Sequence, residues 1–223
     1  MDYQALRKNP SAPQADAGLI EALRDLPVAA LSDSMHRNIG TSGLVPYFQP
    51  GPRTMVGTAV TARSRGGDNL TYLRALEFCR HGDVLVVDAG GDLCNAVVGG
   101  ILTFYAAQIG LAGVVIDGAV RDVAELRSRE FPVYARGVTH RGPYKDGPGE
   151  INVPIAVDGM VVNPGDIVVG DQDGLLAIAP VDAARVIEKA RAVLAAEDKT
   201  MAAMREGRWD RSFIDALEAR CAN

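Results

Sequence analysis

Residues 113–122, Gly-Val-Val-Ile-Asp-Gly-Ala-Val-Arg-Asp, place an arginine and an aspartate just after a short apolar run. The run predicts a strand that stops at a tight turn at Asp117-Gly118, with Arg121 and Asp122 beyond it. A carboxylate can bind a hard cation through oxygen, and a guanidinium can hold a carboxylate in two parallel hydrogen bonds. The pair suits a site for a metal and an anionic substrate, although such a pair alone more often forms a surface salt bridge.

Two glycines, Gly99 and Gly100, precede the helix that the sequence predicts over residues 101–109. A helix N-terminus presents unpaired N–H groups with partial positive charge, and glycine lets a backbone approach a ligand closely. In a parallel β-α-β-α unit, loops that follow neighbouring strands emerge at the same edge of the sheet. We therefore expect Gly99-Gly100 and Arg121-Asp122 to converge on one crevice, as an anion cradle beside a metal-capable carboxylate.

Strand and helix patterns alternate along the first two thirds of the chain. This rhythm predicts an α/β core with parallel strand pairing. Ala89-Gly90-Gly91 is expected to end the second strand, and Ser32 or Asp33 to cap the second helix. The predicted strands are 54–64, 83–88, 114–117 and 132–135, and the predicted helices are 17–26, one beginning near 31, 70–80, 101–109 and 123–129.

Residues 138–173 lose the helical periodicity and begin a β-rich section of short strands and turns. A long helix is then predicted from Val181 to about Arg205, followed by a polar tail in which Trp209 and Phe213 are candidate docking anchors. Since no linker separates these parts, we expect one domain over 1–223, with an N-terminal arm (1–16) and a C-terminal helix and tail (181–223). The short strands are predicted at 155–157, 160–162, 166–169 and 175–178.

Composition excludes several classes of protein. The chain has 223 residues, 48% of them apolar, and a net charge of −5 with no basic block, which argues against nucleic-acid binding. Three widely spaced cysteines without a CxxC pair argue against a disulfide framework or zinc ribbon. No apolar run is long enough to span a bilayer, and no signal region opens the chain, so a cytoplasmic location is expected.

Several segments resemble the RraA-like proteins, a family that includes the class II 4-hydroxy-4-methyl-2-oxoglutarate aldolases. The resemblance covers about Leu26 to Gly207, and the segments together are specific to the family, though not to one activity within it. The segments are Leu31-Ser-Asp-Ser, Gly67-Asp-Asn-Leu, Gly82-Asp-Val-Leu-Val-Val-Asp, the decapeptide 113–122, Val133-Tyr-Ala-Arg-Gly, Gly147-Pro-Gly-Glu and Asn163-Pro-Gly-Asp.

The resemblance implies an RraA-like β/β/α sandwich of the swivelling-domain type, assembled as a homotrimer or hexamer with sites between subunits. It implies Mg²⁺ or Mn²⁺ as cofactor, an oxo acid substrate, release of pyruvate, and decarboxylation of oxaloacetate by some members. By the same resemblance, Arg121 and Asp122 are catalytic. Gly99, Gly100, Ile101 and Arg121 bind substrate, and Asp122 binds the metal together with a neighbouring subunit's Glu197, with Asp198 as the alternative.

One residue departs from the family pattern. The aldolases usually carry Asp or Glu where this chain has Gly100, and glycine cannot hold water or move protons. Asp92, Asp68 and Glu150 are the alternatives for a substitute carboxylate. Two other functions stay open. One is a non-catalytic regulator that binds a ribonuclease, as RraA proper does, and the other is a lyase for a different oxo acid. The retained Arg-Asp pair favours an enzyme.

Overall fold

The computed structural model describes residues 6–221, of which residues 216 and 221 are described by their backbone alone. The strands are β1 (Leu6–Lys8), β2 (Val45–Pro46), β3 (Met55–Ser64), β4 (Asp83–Val98), β5 (Gly113–Val120), β6 (Val133–Val138), β7 (Gly149–Ile151), β8 (Ile155–Val157), β9 (Met160–Val162), β10 (Ile167–Gly170) and β11 (Leu175–Ile178). The helices are α1 (Ala17–Leu23), α2 (Val28–Ser34), α3 (Leu70–Ala75, continued by a 3₁₀ turn to Phe78), α4 (Gly100–Gln108), α5 (Val123–Arg127), α6 (Pro180–Arg205) and α7 (Ser212–Cys221).

The main sheet has the order β1-β7-β3-β4-β5-β6-β2, and β10 with β11 extends it from β3. Strands β3, β4, β5 and β6 pair in parallel, as the alternation of strands and helices predicts. The first residues of the predicted N-terminal arm that are described, Leu6–Lys8, form β1 against β7. The carboxyl ends of the parallel strands therefore meet at one edge, which is where the chemistry-bearing residues lie.

The central strands are apolar on both faces because both faces are covered. Leu85 and Val87 pack with Tyr72 and Leu126 on the side of α3, α4 and α5. Their strand neighbours, such as Val86, face the opposite side, against the β8–β9 hairpin and Leu175. A third cluster packs α1, α2 and the first half of α6 against β10 and β11. These layers confirm the predicted α/β sandwich with a C-terminal helix.

The turn predicted at Asp117-Gly118 is wrong, because β5 runs through both residues to Val120. Asp117 is only 4% exposed, and its two carboxylate oxygens accept hydrogen bonds from Arg136 Nε at 2.5 Å and from the backbone N–H of Asp158 at 2.8 Å. A satisfied buried carboxylate can remain in a strand interior, so an Asp-Gly pair here does not turn the chain.

Strand β4 also continues past Ala89-Gly90-Gly91, contrary to the sequence prediction. Asp88 pairs with Asp117 and Asp92 pairs with Gly118, so β4 bulges by three residues at this point. Gly90 and Gly91 have φ of 66° and 69°, which glycine adopts readily. Pairing resumes after the bulge and brings β4 to the sheet edge beside β5.

The N-cap predicted at Ser32 or Asp33 is wrong. Helix α2 begins at Val28 after Pro27, and the N–H of Val28 donates to Asp171 Oδ2 at 2.8 Å. Asp33 lies in the last turn and pairs with Arg37 at 2.6 Å. The cap therefore comes from a residue 143 positions away along the chain, which local sequence cannot indicate.

The C-terminal region contains α6, as predicted, and a further helix, α7, in the segment expected to be a polar tail. Trp209 and Phe213 remain 42% and 51% exposed, and their rings lie 6.4 Å apart, so the two contact each other and do not anchor the tail to the sheet. Within the described chain, no helix is both long and apolar enough to cross a membrane.

We expect Asp158 to make stability pH-dependent at low pH. Hydrogen bonds from the backbone N–H groups of Gly43 and Ser42, with Arg136 nearby, hold its pKa below the usual carboxyl value. A carboxyl with a depressed folded-state pKa stabilises the fold above its unfolded pKa, and this contribution is lost as the pH falls through the folded value. Asp158→Asn should therefore flatten the pH dependence of urea unfolding below about pH 4.

The exposed Asp173 provides the control for this experiment. Asp173→Asn should keep the pH dependence of the wild type. An Asp158→Asn protein whose unfolding free energy falls with acid as steeply as that of the wild type would contradict the assignment.

Candidate active site

The site begins where β4 and β5 end side by side. Val98 pairs with Val120, and the N–H of Arg121 donates to the carbonyl of Val98 at 3.1 Å. The next residues, Gly99 on one strand and Arg121 on the other, therefore leave the sheet together. The structure thus brings the glycine pair and the Arg-Asp pair into one crevice.

Asp122 joins the two loops. Its Oδ2 accepts the backbone N–H of Gly100 at 2.9 Å and lies 3.6 Å from Arg121 Nε. Asp122 precedes α5 but does not cap it. It adopts a left-handed conformation (φ 60°, ψ 38°) that aspartate tolerates better than most residues. This backbone turns the carboxylate towards the N-terminus of α4, whose dipole stabilises negative charge.

The unpaired N–H groups at the N-terminus of α4 begin one residue later than the glycine pair predicts. The first intrahelical bond of α4 runs from the N–H of Thr103 to the carbonyl of Gly99, and Asp122 already takes the N–H of Gly100. The N–H groups of Ile101 and Leu102 therefore have no acceptor within the helix. An anionic ligand would bind to these two amides rather than to Gly100.

At both glycines a side chain would meet a nearby carboxylate. A Cβ on Gly99 would lie 2.3 Å from Asp122 Oδ2 and 2.8 Å from Arg121 Cγ. A Cβ on Gly100 would lie 2.0 Å from Glu125 Oε2. A side chain at either position would therefore force the facing carboxylate to move.

Sequence reasoning missed Glu125, although it lies one helical turn after Asp122. None of the three alternatives for the missing carboxylate takes this place. Asp68 is fully buried and accepts backbone N–H groups from Leu70, Asp146 and Gly147. Asp92 packs against Gly66 and Gly67, and Glu150 pairs with Arg7 and Arg63. Glu125 is the carboxylate that lies where a side chain at position 100 would be.

A recess of about 40 Å³ opens beside Arg121 and Asp122. Asn69 lines it, is only 3% exposed, and its Oδ1 has no hydrogen-bond partner in the described part of the chain. Buried polar atoms are rarely left unpaired, so this oxygen indicates a place for a donor such as a hydroxyl or a water. Sequence reasoning noted Asn69 only as part of a family segment. The lining residues are Asn69, Val97, Val98, Gly99, Ile101, Leu102, Arg121, Asp122 and Pro143.

Glu197 does not reach this recess within one chain. It lies on α6 in a separate groove of about 580 Å³ between α2 and α6, together with Asp33 and Arg37. The neighbouring Asp198 is exposed on the same helix. Neither Glu197 nor Asp198 lines the crevice of its own subunit.

The residues present fit a hydrated hard cation. In the described residues, no group of three or more His, Cys, Asp or Glu side chains could enclose a metal. Asp122 offers one carboxylate, of which Oδ1 forms no hydrogen bond with any described residue. Mg²⁺ keeps several waters and is commonly held by one or two carboxylates plus substrate oxygens. The donor set matches that pattern and not an all-protein cage.

Comparison with known proteins identifies the family. A model of the RraA-like family, described as Aldolase/RraA, matches residues 28–177. The chain belongs to the RraA-like family. The resemblance drawn from the sequence motifs is thereby confirmed, and the sandwich described above is the fold of this family.

Some individual relatives are named as aldolases, and others are named as RraA proteins. The chain is 37% identical over 180 residues to a Halalkalibacterium halodurans protein named "Putative 4-hydroxy-4-methyl-2-oxoglutarate aldolase", covering 80% of this chain and 84% of the relative. It is 44% identical over 109 residues to 4-hydroxy-4-methyl-2-oxoglutarate aldolase of Thermus thermophilus, covering 49% and 66%. The crystal structure of Streptomyces coelicolor RraAS2, an unusual member of the RNase ES inhibitor RraA family, superposes with a TM-score of 0.76 at 27% identity, covering 85% of this chain and 98% of that one.

We expect Gly99→Ala to disturb the site specifically. The added Cβ would collide with Asp122 Oδ2 and Arg121 Cγ, so either the carboxylate must move or the two strand ends must separate. Overpacking of this kind costs about 1–3 kcal/mol, which thermal or urea unfolding would measure.

Gly51→Ala is the matched control, because its Cβ would meet nothing within 4 Å. This control should change stability by less than about 0.5 kcal/mol. Equal stability of the two variants would contradict the close approach at Gly99.

Proposed function

We propose that this protein is a divalent-metal-dependent carbon–carbon lyase that cleaves a 4-hydroxy-2-oxo acid, such as 4-hydroxy-4-methyl-2-oxoglutarate, to pyruvate. The observation that carries the proposal is the crevice itself. A carboxylate with a free oxygen, a half-exposed guanidinium and two free helix N-terminal amides lie together there. Names of relatives at 37–44% identity point to the same reaction class.

Each group in the crevice has a role that its chemistry suits. The amides of Ile101 and Leu102 would hold the carboxylate of the oxo acid. Arg121, 40% exposed, would bind the oxygen on which negative charge develops as the carbon–carbon bond breaks. Asn69 Oδ1 would accept a hydrogen bond from the substrate hydroxyl, which orients the bond to be cleaved.

Asp122 would hold the divalent cation, Mg²⁺ or Mn²⁺, directly or through water. When bound, the cation supplies a Lewis acid for the carbonyl of the 2-oxo acid. Arg121 stabilises the same developing charge whether the group lost is a carbonyl compound or carbon dioxide. Oxaloacetate decarboxylation is therefore proposed as a second activity of this site.

We propose a homotrimer or hexamer with sites shared between subunits. The recess of about 40 Å³ is small for an oxo acid, and one of its lining residues, Ile101, lies on a helix with several exposed apolar side chains. Ile101, Phe104 and Tyr105 on α4 are 81%, 50% and 51% exposed. A second copy packed on α4 would cover them and complete the recess. By the family resemblance, that copy would contribute its Glu197.

One alternative keeps specific support. A regulator that binds a ribonuclease is favoured by the missing carboxylate at Gly100 and by the structural likeness to RraAS2. A lyase for a different oxo acid gains no support from Gly100, because the Glu125 carboxylate occupies the space beside that glycine. A cytoplasmic location stays a prediction from the sequence, and the free thiols of Cys79 and Cys94 agree with a reducing compartment. Burial raises the pKa of the Cys79 thiol to about 12.

Asp122→Ala should abolish pyruvate release from 4-hydroxy-4-methyl-2-oxoglutarate. Loss of the carboxylate removes the proposed metal ligand and releases the N–H of Gly100, so we expect kcat/KM to fall by at least about 10³. EDTA should stop the wild type, and Mg²⁺ or Mn²⁺ should restore it. Pyruvate release is followed with a coupled lactate dehydrogenase assay.

Asp25→Ala, which removes an exposed carboxylate paired with Arg53, provides the control and should keep wild-type turnover. Unchanged turnover in Asp122→Ala would contradict the assigned mechanism. A wild type without metal-dependent pyruvate release that captures a ribonuclease stably would favour the regulator.

Subunit sharing predicts complementation. Asp122→Ala and Glu197→Ala should each be inactive as pure proteins, because each would lack one proposed metal ligand at every site. Mixed oligomers, formed by co-expression with two affinity tags, should regain activity, since some sites then carry both native carboxylates. No recovered activity in verified mixed oligomers would refute the sharing of Glu197.

A further inference from the structure

The first residue of α4, Gly100, is held at both ends of its backbone by residues on or beside α5. Its N–H donates to Asp122 Oδ2 at 2.9 Å, and its carbonyl oxygen accepts from Arg129 Nη1 at 3.0 Å. Thr103 Oγ1 lies 3.1 Å from this carbonyl and also 3.1 Å from the carbonyl of Gly99, and its one proton serves either of them. Because Gly99 has no side chain to cap the helix, the place of this turn depends on these contacts.

Glu125 and Phe104 fix the guanidinium that makes one of those contacts. Glu125 Oε1 accepts a short hydrogen bond from Arg129 Nη2, and the two residues are one helical turn apart. The Arg129 guanidinium also lies 5.2 Å from the centre of the Phe104 ring on the second turn of α4. Only the planar fork of arginine can donate to two acceptors and stack on a ring at once.

The Glu125 carboxylate also lies against Gly100. A Cβ there would lie 2.0 Å from Glu125 Oε2 and 2.5 Å from its carboxyl carbon. Gly100 is not among the glycines with positive φ, so backbone conformation does not require it. The Glu125 carboxylate occupies the space that a side chain at position 100 would fill.

We propose that Arg129, held by Glu125, is a positioning residue that sets the amides of Ile101 and Leu102 against Arg121 and Asp122. The proposal rests on the proposed function, in which those amides bind the carboxylate of the oxo acid. Arg129 touches no substrate in this account. It acts through Gly100, whose carbonyl it binds, and so fixes the direction of the N–H groups that follow.

A second ion pair serves as the matched control. Arg74 and Glu77 lie 2.7 Å apart, three residues from each other, and both side chains are about half exposed. The Arg129 side chain is 30% exposed and contacts the helix that carries the cradle. Exposed pairs such as Arg74–Glu77 contribute little to stability. Arg74→Met therefore removes the same chemistry without touching the cradle.

The test compares Arg129→Met with Arg74→Met and wild type in the presence of Mg²⁺. Arg129→Met should raise KM for 4-hydroxy-4-methyl-2-oxoglutarate and Kd for pyruvate about tenfold, while kcat stays within about twofold, because the carboxylate contact is the same in ground and transition states. The amide NMR resonances of Ile101 and Leu102 should shift without ligand. Arg129→Lys, which keeps the charge but not the fork, should fall between.

Wild-type KM, pyruvate Kd and amide resonances in Arg129→Met would overturn the proposal, even if that variant unfolds at a lower temperature. Equal changes in Arg74→Met would overturn it as well. If the wild type releases no pyruvate, the proposed function fails separately. The amide resonances of the unliganded proteins then still decide whether Arg129 positions the cradle.

Discussion

The hydrogen bond from the N–H of Gly100 to the Asp122 carboxylate is the contact on which the site depends. It ties the end of β4 to the end of β5 at a distance of 2.9 Å. Three features make it possible: the pairing of Val98 with Val120, the left-handed backbone of Asp122, and a glycine at position 99 that leaves room for the carboxylate. The position of Arg121 follows from the same pairing.

Much of the framework could be predicted because its signals are local or periodic. Alternating strand and helix patterns predicted the parallel core, and parallel connectivity predicted that the loops after β4 and β5 would meet. The prediction of a turn at Asp117 was wrong because the contacts that keep this residue in the strand are distant in sequence. Its carboxylate is satisfied by Arg136 and by the backbone of Asp158, which lie 19 and 41 residues further along the chain. No local pattern distinguishes that aspartate from one in a turn.

The residues of the site also divide into those with a local sequence signal and those placed by distant packing. The glycine and Arg-Asp pairs stand at predictable strand ends, whereas Asn69 enters the recess through a packing arrangement that the sequence does not show. Glu125 did carry a signal, since it follows Asp122 by three residues in the next predicted helix, and Arg129 follows Glu125 by four. None of the three alternatives named for the absent carboxylate, Asp92, Asp68 and Glu150, lies in that helix. Within one chain, Glu197 lies in the separate groove between α2 and α6.

A crystal structure with Mn²⁺ and pyruvate tests the central claim most directly, because anomalous scattering locates the manganese without assumptions. The account predicts a manganese peak beside Asp122, with the pyruvate carboxylate on the amides of Ile101 and Leu102 and its carbonyl oxygen facing Arg121. Manganese bound elsewhere, or pyruvate outside the crevice at saturating concentration, would contradict it.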